Sequence, residues 1–246
     1  MKISLTGSGA IAGAYLKVNP SAGVYSFRKM EDEQIIEEVI LSSDVIVHNS
    51  AGISPVNDNL GLTRRIVDLV LASKPEIRFI NIGSMSYLSA DGYLPVNKMT
   101  PYAYSKFGSE IYALMFLPNM TSVRFSTIFY KDHQRDGLSR LIHIARTEKI
   151  ITIINNGSAK RDFIPLDIAA QYLDHVIRED TAPIINICSG TGTSFYQVAK
   201  MILNNIDARL VFEKGEVPWV KSLFTRELPE IIFSLEDEIK NYICGP

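Results

Sequence analysis

Short apolar runs with β-strand character alternate with longer amphipathic runs, and this alternation limits the fold more than any other feature of the chain. The strand candidates are KISLT (2–6), GVYSF (23–27), DVIVHN (44–49), IRFINIG (77–83), TSVRFSTI (121–128) and IINIC (184–188). The helix candidates are 32–43, 59–73 and 105–116. Alternating strands and helices predict a parallel sheet, and continuously apolar strands predict one covered on both faces. We therefore predict an α/β protein with a doubly wound parallel sheet.

Beyond residue 129 the alternation loosens into a helix candidate at 138–149 and a strand candidate at 150–154. No tract rich in Pro, Gly or Ser divides the chain into independent domains. We predict a sheet domain at 1–129 and a small C-terminal portion at 130–246 folded against it. Within that portion, we expect 150–188 to return to the main sheet.

Composition limits the partners and the compartment. A formal net charge of -2 gives no electrostatic reason to expect nucleic acid or an anionic membrane as a partner. The two cysteines, Cys188 and Cys244, are too few for a disulfide framework or a zinc cluster, which fits a reducing compartment. The N-terminal run MKISLTGSGAIAG is broken by Thr and Gly and resembles neither a signal peptide nor a membrane span. We expect a cytoplasmic protein that holds no metal.

A glycine-rich turn follows the first strand directly. In TGSGAIAG, Gly7, Gly9 and Gly13 open a helix candidate. Such a turn lets backbone N–H groups approach a pyrophosphate, and the helix N-terminus adds partial positive charge. The position at the first strand-to-helix junction favours dinucleotide binding on a Rossmann-type sheet, with a plain tight turn as the alternative.

The end of the second strand, YSFRK, bears on the choice of cofactor. An NAD-preferring site places an Asp or Glu here for the ribose 2′-hydroxyl, whereas an Arg accommodates a 2′-phosphate. No carboxylate occurs before Glu31, and Ser26, Arg28 and Lys29 suit a phosphate. We therefore favour NADP(H), with NAD(H) left open. The alternative is that Arg28 and Lys29 are solvated surface charges.

Six motifs follow one another in an order that resembles a known family. They are TGSGAIAG (6–13), HNSAG (48–52), NLGLT (59–63), INIGSMS (80–86), PYAYSKFGSE (101–110) and RDFIPLDIA (161–169). This order is similar to the extended branch of the short-chain dehydrogenase/reductase superfamily, the nucleotide-sugar epimerase/dehydratase family. The resemblance covers nearly the whole chain.

The resemblance implies a role for individual residues. It makes Ser84 the catalytic serine, Tyr102 the catalytic tyrosine and Lys106 its partner, which also contacts the nicotinamide ribose. The expected cofactor-binding residues are Gly7, Ser8, Gly9, Ala10, Ile11, Gly13, Ser26, Arg28, Lys29, Asn49, Ser50, Ala51, Gly52, Asn59, Ile82, Tyr102 and Lys106. The expected substrate-binding residues are Ser84, Ser86, Ser126, Thr127 and Arg161.

The spacing of Tyr102 and Lys106 suits proton transfer. Residues i and i+4 share a helix face, so the ammonium can lie near the phenol and lower its pKa from about 10. The same spacing occurs at Tyr25/Lys29 and at Tyr196/Lys200. Only Tyr102/Lys106 lies downstream of both the glycine turn and the strand that ends in Ser84 and also upstream of RDFIPLDIA (161–169). Ser84 would then hydrogen-bond the substrate oxygen while the nicotinamide exchanges the hydride.

Departures from the family pattern narrow the reaction. Sugar 4,6-dehydratases of the family carry Asp-Glu after the catalytic Thr, where this chain has Met85 and Ser86. Neither serves as an acid or base for water elimination, which leaves an epimerase or a ketosugar reductase. The segment 30–43 has room for only one helix, so the unit that completes the adenine pocket is trimmed. Compact reductases of 4-keto-6-deoxy sugars in the family make an NADPH-dependent reductase a strong contender.

The resemblance implies a nucleotide-activated sugar as substrate and leaves a homodimer open. The alternative function is a non-catalytic NAD(P)-binding redox-sensing regulator. The set Ser84, Tyr102 and Lys106 argues against it, because a sensor does not need proton-transfer groups.

The remaining polar residues receive structural interpretations. We expect His48 to be a satisfied polar group and not a catalyst. His133, His143 and His175 show no metal-ligand spacing. Arg161 and Asp162 either pair structurally or contact the substrate. The basic residues Arg124, Lys221 and Arg226 are expected at the surface more than at substrate phosphates.

Overall fold

The computed structural model of the chain describes residues 1–30, 32–50, 52, 58–89, 92–131, 136–179, 182–215 and 233–245. Five residues considered above lie outside the described residues: Glu31, Ala51, His133, Lys221 and Arg226.

Helices and strands alternate through the described chain. The strands are β1 (Ile3–Leu5), β2 (Gly23–Val24), β3 (Val45–His48), β4 (Arg78–Ser84), β5 (Leu88–Ser89), β6 (Gly92–Tyr93), β7 (Met120–Phe125), β8 (Thr127–Phe129), β9 (Ile150–Ile154), β10 (Lys160–Arg161), β11 (Phe163–Pro165), β12 (Ile184–Ile187), β13 (Thr193–Ser194) and β14 (Arg209–Glu213). The helices are α1 (Ala10–Val18), α2 (Glu33–Leu41), α3 (Asn59–Ser73), α4 (Pro101–Phe116), α5 (Gly137–Glu148), α6 (Leu166–Arg178), α7 (Phe195–Leu203) and α8 (Leu235–Cys244).

Six of the described strands form a parallel sheet in the order β12-β7-β4-β3-β1-β2. Helices cover both of its faces. One buried core includes Tyr15 of α1 and Leu173 of α6, and another includes Ile36 of α2 and Ile66 of α3. The predicted α/β class and the doubly wound parallel sheet are therefore confirmed.

The sheet ends at β2, where the chain is short. From β2 the chain passes through one helix, α2, and enters β3 directly. The predicted strand at 23–27 stops at Val24, because Phe27–Lys29 forms a 3₁₀ turn that buries the ring of Phe27 completely. The structure therefore has the single helix that the length of this segment predicted.

The C-terminal half contributes to the main sheet and also builds a smaller core. Strand β12 pairs with β7 in the main sheet, and α6 packs against α1. Strand β9 instead pairs in parallel with β14 in a separate two-stranded sheet. Its core includes Leu138, Ile153 and Val198. The portion beyond residue 129 thus supplies both the last strand of the main sheet and a second packed unit.

The helices of the described chain are too short or too polar to cross a membrane.

Candidate active site

The predicted site residues gather at the carboxyl ends of the central strands. The glycine turn follows β1, Asn49 and Ser50 follow β3, and Ser84 ends β4. Ser84 lies opposite Phe125 in the register of β4 and β7, so Ser126 follows at the neighbouring strand end. Carboxyl ends of parallel strands form the ligand-binding edge of an open α/β sheet.

The glycine turn is held against the end of β3. The Gly7 N–H donates to Asn49 Oδ1 at 2.7 Å, and Asn49 Nδ2 donates to the Gly7 carbonyl at 2.8 Å. A Cβ on Gly7 would lie 2.8 Å from Ser50 Oγ, so only glycine allows this approach. The predicted residues Gly7, Asn49 and Ser50 therefore lie together.

The start of α1 has the properties that a pyrophosphate requires. Ala10 and Ile11 open the helix, its N-cap is Gly9, and no side chain caps it. A Cβ on Gly9 or Gly13 would meet no atom of another described segment within 4 Å, so the space beside the first turn is open. Helix N–H groups and the helix dipole favour an anion at such an end. These residues fit the pyrophosphate of a dinucleotide.

Arg28 links the glycine-turn side of the site to α3. One of its terminal nitrogens donates to the Ser50 carbonyl at 3.2 Å and to Asn59 Oδ1 at 2.9 Å. Nearby, Ser26 Oγ lies 3.3 Å from Ser8 Oγ. Lys29 is exposed beside them. Arg28 is thus held by the site and is not only a solvated surface charge.

Asn59 connects the predicted cofactor residues to the catalytic helix. Its side chain accepts from Gly52 N and donates to the Gly52 carbonyl, at 2.9 and 3.0 Å. Its Nδ2 also donates to Ser105 Oγ at 3.0 Å. Because Ser105 lies between Tyr102 and Lys106 on α4, a continuous chain of contacts joins the two halves of the site.

Ser84 and Tyr102 meet through their side chains. A hydrogen bond between them favours the phenolate, but burial has the larger effect and raises the pKa of Tyr102 above its usual value of 10.0. Ser84 Oγ also donates to Ser86 Oγ at 2.9 Å and accepts from Ser86 N at 3.1 Å. Ser84, Ser86 and Tyr102 therefore form one polar group at the end of β4.

Lys106, one helical turn after Tyr102 on α4, is buried, with 4 % of its surface exposed. Its Nζ donates to the carbonyl of Ile82 on β4. Burial lowers the pKa of Lys106 to about 8, against the opposing charge of Glu110. The sequence predicted that the Lys106 ammonium lowers the pKa of Tyr102, and this prediction is wrong. The ammonium is directed to the Ile82 carbonyl, and burial moves the Tyr102 pKa upward.

The predicted substrate residues lie on three neighbouring segments. Ser126 donates its N–H to the Ile187 carbonyl at 3.1 Å, and its buried Oγ has no protein partner among the described residues. Thr127 N donates to the carbonyl of Asp162 at 3.1 Å, as β8 pairs with β11. Arg161 is half-buried, and burial lowers the pKa of its guanidinium. These segments adjoin the end of β7 next to Ser84.

Asp162 has a structural role. Its carboxylate accepts hydrogen bonds from Ser189 N at 2.9 Å, Ser189 Oγ at 2.8 Å and Thr191 N at 3.1 Å. It therefore holds the loop after β12 to the segment that carries Arg161.

One group of residues near the site was not predicted from the sequence. Glu110, fully buried on α4, pairs with Arg124 on β7 and accepts from the Tyr87 hydroxyl. Arg124 is 6 % exposed, which contradicts our expectation of a surface position. The spacing of Lys106 and Glu110, four residues apart on one helix, was the available signal. We refer to Tyr87, Glu110, Ser122 and Arg124 as the Glu110 cluster.

Among the described residues, no group of three or more His, Cys, Asp or Glu side chains is arranged to hold a metal ion.

The sheet order, the glycine turn and the strand-end site define a Rossmann-type dinucleotide-binding fold. The chain belongs to the NAD-dependent epimerase/dehydratase family, whose model matches residues 26–188, more than half of its length. Enzymes of this family act with a nicotinamide cofactor. No curated protein matches the sequence significantly.

Several solved structures share the fold. A UDP-N-acetylglucosamine 4-epimerase from Methanobrevibacter ruminantium, in complex with UDP-N-acetylmuramic acid, superposes with a TM-score of 0.82 at 15% identity, covering 100% of this chain and 98% of that one. TunA, an NAD-dependent NDP-hexosamine 5,6-dehydratase of tunicamycin biosynthesis, gives 0.81 at 16% identity, with coverages of 98% and 96%. A GDP-mannoheptose C4 reductase from Campylobacter jejuni with NADP bound gives 0.74 at 14% identity, with coverages of 98% and 97%. At these identities the similarity concerns the fold alone.

Proposed function

We propose that this chain is an NAD(P)-dependent nucleotide-sugar epimerase or ketosugar reductase that uses Ser84, Tyr102 and Lys106. One observation carries the proposal. The side chains of Ser84 and Tyr102 are hydrogen-bonded at the end of β4, Lys106 is buried one helical turn after Tyr102, and contacts through Asn59 connect α4 to Arg28.

Each of the three residues has a distinct task. Tyr102 exchanges a proton with the substrate oxygen through its phenol, and Ser84 Oγ hydrogen-bonds the same oxygen. Lys106, one helical turn after Tyr102, would hydrogen-bond the ribose of a bound nicotinamide, as the family resemblance implies. A bound nicotinamide supplies the hydride acceptor or donor.

The protonated state of Tyr102 suits donation of a proton to a substrate oxygen. Burial raises the pKa of its phenol, so the hydroxyl keeps its proton at neutral pH. A protonated phenol is ready to donate to the oxygen of a carbonyl as that carbonyl is reduced.

Ser26 and Arg28 support NADP(H) as the cofactor. Arg28 is held at the end of β3 by Ser50 and Asn59, and Ser26 lies beside the glycine turn at Ser8. An arginine after the second strand accommodates the ribose 2′-phosphate, and no carboxylate among the described residues of this turn competes for the 2′-hydroxyl.

A nucleotide-activated sugar is the proposed substrate. Three relatives of the fold are named for UDP-, NDP- or GDP-linked sugars. Ser126, whose buried hydroxyl has no partner in the described part of the chain, and Thr127 supply polar groups beside Ser84, and Arg161 offers a positive charge. Met85 is buried and Ser86 is bonded to Ser84, so neither supplies the acid or base of a 4,6-dehydratase.

Identification of the nucleotide released from the purified, denatured protein tests the proposal. NAD held tightly through purification would indicate an epimerase, because an epimerase returns its hydride in every cycle. Protein that releases no nucleotide but binds NADPH reversibly would indicate a reductase. Protein that neither contains nor binds any nicotinamide dinucleotide would contradict the proposal.

A further inference from the structure

The Glu110 cluster concentrates buried charge and hydroxyl groups next to the proposed catalytic residues. Glu110 Oε2 accepts from Tyr87 Oη at 2.7 Å and from Arg124 Nε at 2.9 Å, and it also accepts from Ser122 Oγ. Glu110 Oε1 accepts from Arg124 Nη2 at 2.5 Å. Both oxygens of a fully buried carboxylate are therefore satisfied, by Tyr87 from the turn after β4 and by two side chains of β7.

The cluster reaches Ser84 through Tyr87. The backbone N–H of Ser84 donates to Tyr87 Oη at 3.3 Å, and the same hydroxyl donates to Glu110. Gly83 makes this approach possible, because a Cβ there would lie 2.9 Å from Tyr87 Oη and 3.1 Å from Ser122 Oγ. The strand end that carries Ser84 is thus hydrogen-bonded to the buried Glu110 cluster.

Two aromatic rings contact Arg124 on the other side of the Glu110 cluster. The guanidinium carbon of Arg124 lies 5.6 Å from the ring centroid of Tyr87 and 5.2 Å from that of Tyr93. Arg124 Nη2 donates to Tyr93 Oη at 2.5 Å, and the two tyrosine rings stack at 6.3 Å. Because Tyr93 lies on β6, the cluster also holds the hairpin of β5 and β6 that follows the proposed catalytic serine.

Glu110 also acts on Lys106, one helical turn before it. The carboxylate favours the charged form of Lys106 and opposes the effect of burial. Among the described titratable groups, Glu110 and His48 interact electrostatically with Lys106, and Tyr102 lies one turn before it on the same helix. His48 stays neutral, since burial lowers its pKa to about 3. Glu110 is therefore the one negative charge that faces the ammonium from the described residues.

A buried ion pair is a poor way to gain stability. Removing both charges from water costs about as much as their attraction returns, and apolar residues of similar volume serve equally well. The position of the Glu110–Arg124 pair indicates a role other than stability, because Glu110 is linked through Tyr87 to the Ser84 backbone and also acts on the Lys106 ammonium.

We infer that Glu110, through Tyr87 and with Arg124 as counter-ion, is a positioning residue that sets the place of Ser84 and the charge of Lys106. This inference rests on the proposed function. Glu110 and Tyr87 do not act on the reacting atoms themselves; each acts through a proposed catalytic residue.

The substitution Tyr87→Phe tests the link to Ser84. It removes the hydroxyl but keeps the ring. The matched control is Tyr15→Phe, since Tyr15 is also fully buried and donates to a carboxylate, Asp174, at 2.8 Å. We expect Tyr87→Phe to lower kcat about 10- to 100-fold with little change in the KM for the cofactor, because small displacements of catalytic groups cost rates of this order. The control should keep its kcat.

The substitution Glu110→Gln tests the link to Lys106. Removing the negative charge lowers the pKa of Lys106 further, so the alkaline limb of the pH–rate profile should move to lower pH. A purely structural role for Glu110 would reduce the amount of folded enzyme but would leave the position of that limb unchanged. An unmoved limb would overturn this part of the inference.

Amide hydrogen exchange provides a measurement that needs no turnover. In the wild type the Ser84 amide is bonded to Tyr87, so it should exchange faster in Tyr87→Phe and at the wild-type rate in Tyr15→Phe. Equal Ser84 exchange in the two variants would overturn the inference even if the enzyme is active. A wild type that converts no nucleotide sugar would instead refute the proposed function, while the exchange result would still decide whether Tyr87 positions Ser84.

Discussion

His48 illustrates how burial determines what a side chain does. It is 4 % exposed, with Nδ1 3.0 Å from Thr6 Oγ1 and Nε2 2.9 Å from Thr63 Oγ1. Burial lowers its pKa to about 3, and the charges of Lys106 and Arg28 add to this shift. The imidazole is therefore neutral near neutral pH and joins β1 to α3. The expectation of a satisfied polar group is confirmed.

The low pKa of His48 predicts a pH dependence of stability. An unfolded histidine titrates near pH 6.5, so between about pH 6.5 and 3 the unfolded chain binds a proton that the folded chain does not. The stability contribution is complete above this window and is lost as the pH falls through it, by up to about 1.4 kcal/mol per pH unit. Urea unfolding of the wild type should therefore show a steeper loss below about pH 6 than His48→Gln.

The exposed His143 provides the control for this measurement. His143→Gln should keep the steep wild-type dependence. If His48→Gln also keeps it, His48 is not the group responsible.

At the scale of secondary structure, two glycines of the glycine turn are needed for different reasons, one for packing and one for cofactor binding. Gly7 is required by packing, because a Cβ would lie 2.8 Å from Ser50 Oγ and 3.0 Å from Ser50 Cα. Gly9 has open space around the corresponding position. The fold therefore needs the first glycine, and the proposed pyrophosphate needs the second.

This separation predicts opposite effects for two similar substitutions. Gly7→Ala should lower the free energy of unfolding by about 1–3 kcal/mol through overpacking. Gly9→Ala should change it by less than about 1 kcal/mol, yet weaken NAD(P)H binding, because the methyl group fills the approach to the helix N-terminus. Chemical denaturation and cofactor titration of both variants measure the two effects. Normal cofactor affinity in Gly9→Ala would contradict the assignment of the turn.

Local sequence signals predicted most helices and strands but not all of their first and last residues. Helix α3 occupies the predicted range 59–73, where its apolar periodicity is regular and the Asp58 side chain caps it. Helix α4 begins at Pro101 instead of 105, since Thr100 caps it and Pro101 suits the first turn. These capping residues were readable in the sequence, whereas the early end of β2 depended on burial of Phe27.

The proposed catalytic residues could be predicted from the sequence, whereas the charged residues next to them could not. Ser84, Tyr102 and Lys106 follow from motif order along the chain. The pair Glu110 and Arg124 does not, because charged side chains are seldom fully buried and only the tertiary structure brings α4 onto β7. The Tyr102 pKa was misjudged for the same reason, since helix spacing carries no information about burial.

At the scale of the whole molecule, the main sheet depends on residues from both halves of the chain. Ile185 and Ile187 of β12 lie in the same core as Leu5 and Val47, and α6 adds Leu173 to it. A chain that ends at residue 129 would lack this edge strand and its covering helix.

A fragment of residues 1–129 should therefore lack a cooperative unfolding transition. Without β12 and α6, part of its apolar core would be exposed to water, and the fragment would lose much of the apolar burial that stabilises a small domain. Urea titration followed by tyrosine fluorescence would measure this, with the full chain as the control. A cooperative transition in the fragment would show that the N-terminal portion folds by itself.

Turnover by Tyr102→Phe tests the central proposal most directly. The variant keeps the ring and removes the proton-transferring hydroxyl, and Tyr104→Phe, on an exposed face of the same helix, is the control. Nicotinamide absorbance would follow the reduction of nucleotide-linked 4-keto sugars, and chromatographic separation of the sugar products would follow epimerisation of a panel of nucleotide-linked sugars. We predict that Tyr102→Phe binds the cofactor normally but loses at least about 100-fold in kcat, while Tyr104→Phe retains wild-type turnover. Full turnover by Tyr102→Phe would contradict the proposed mechanism.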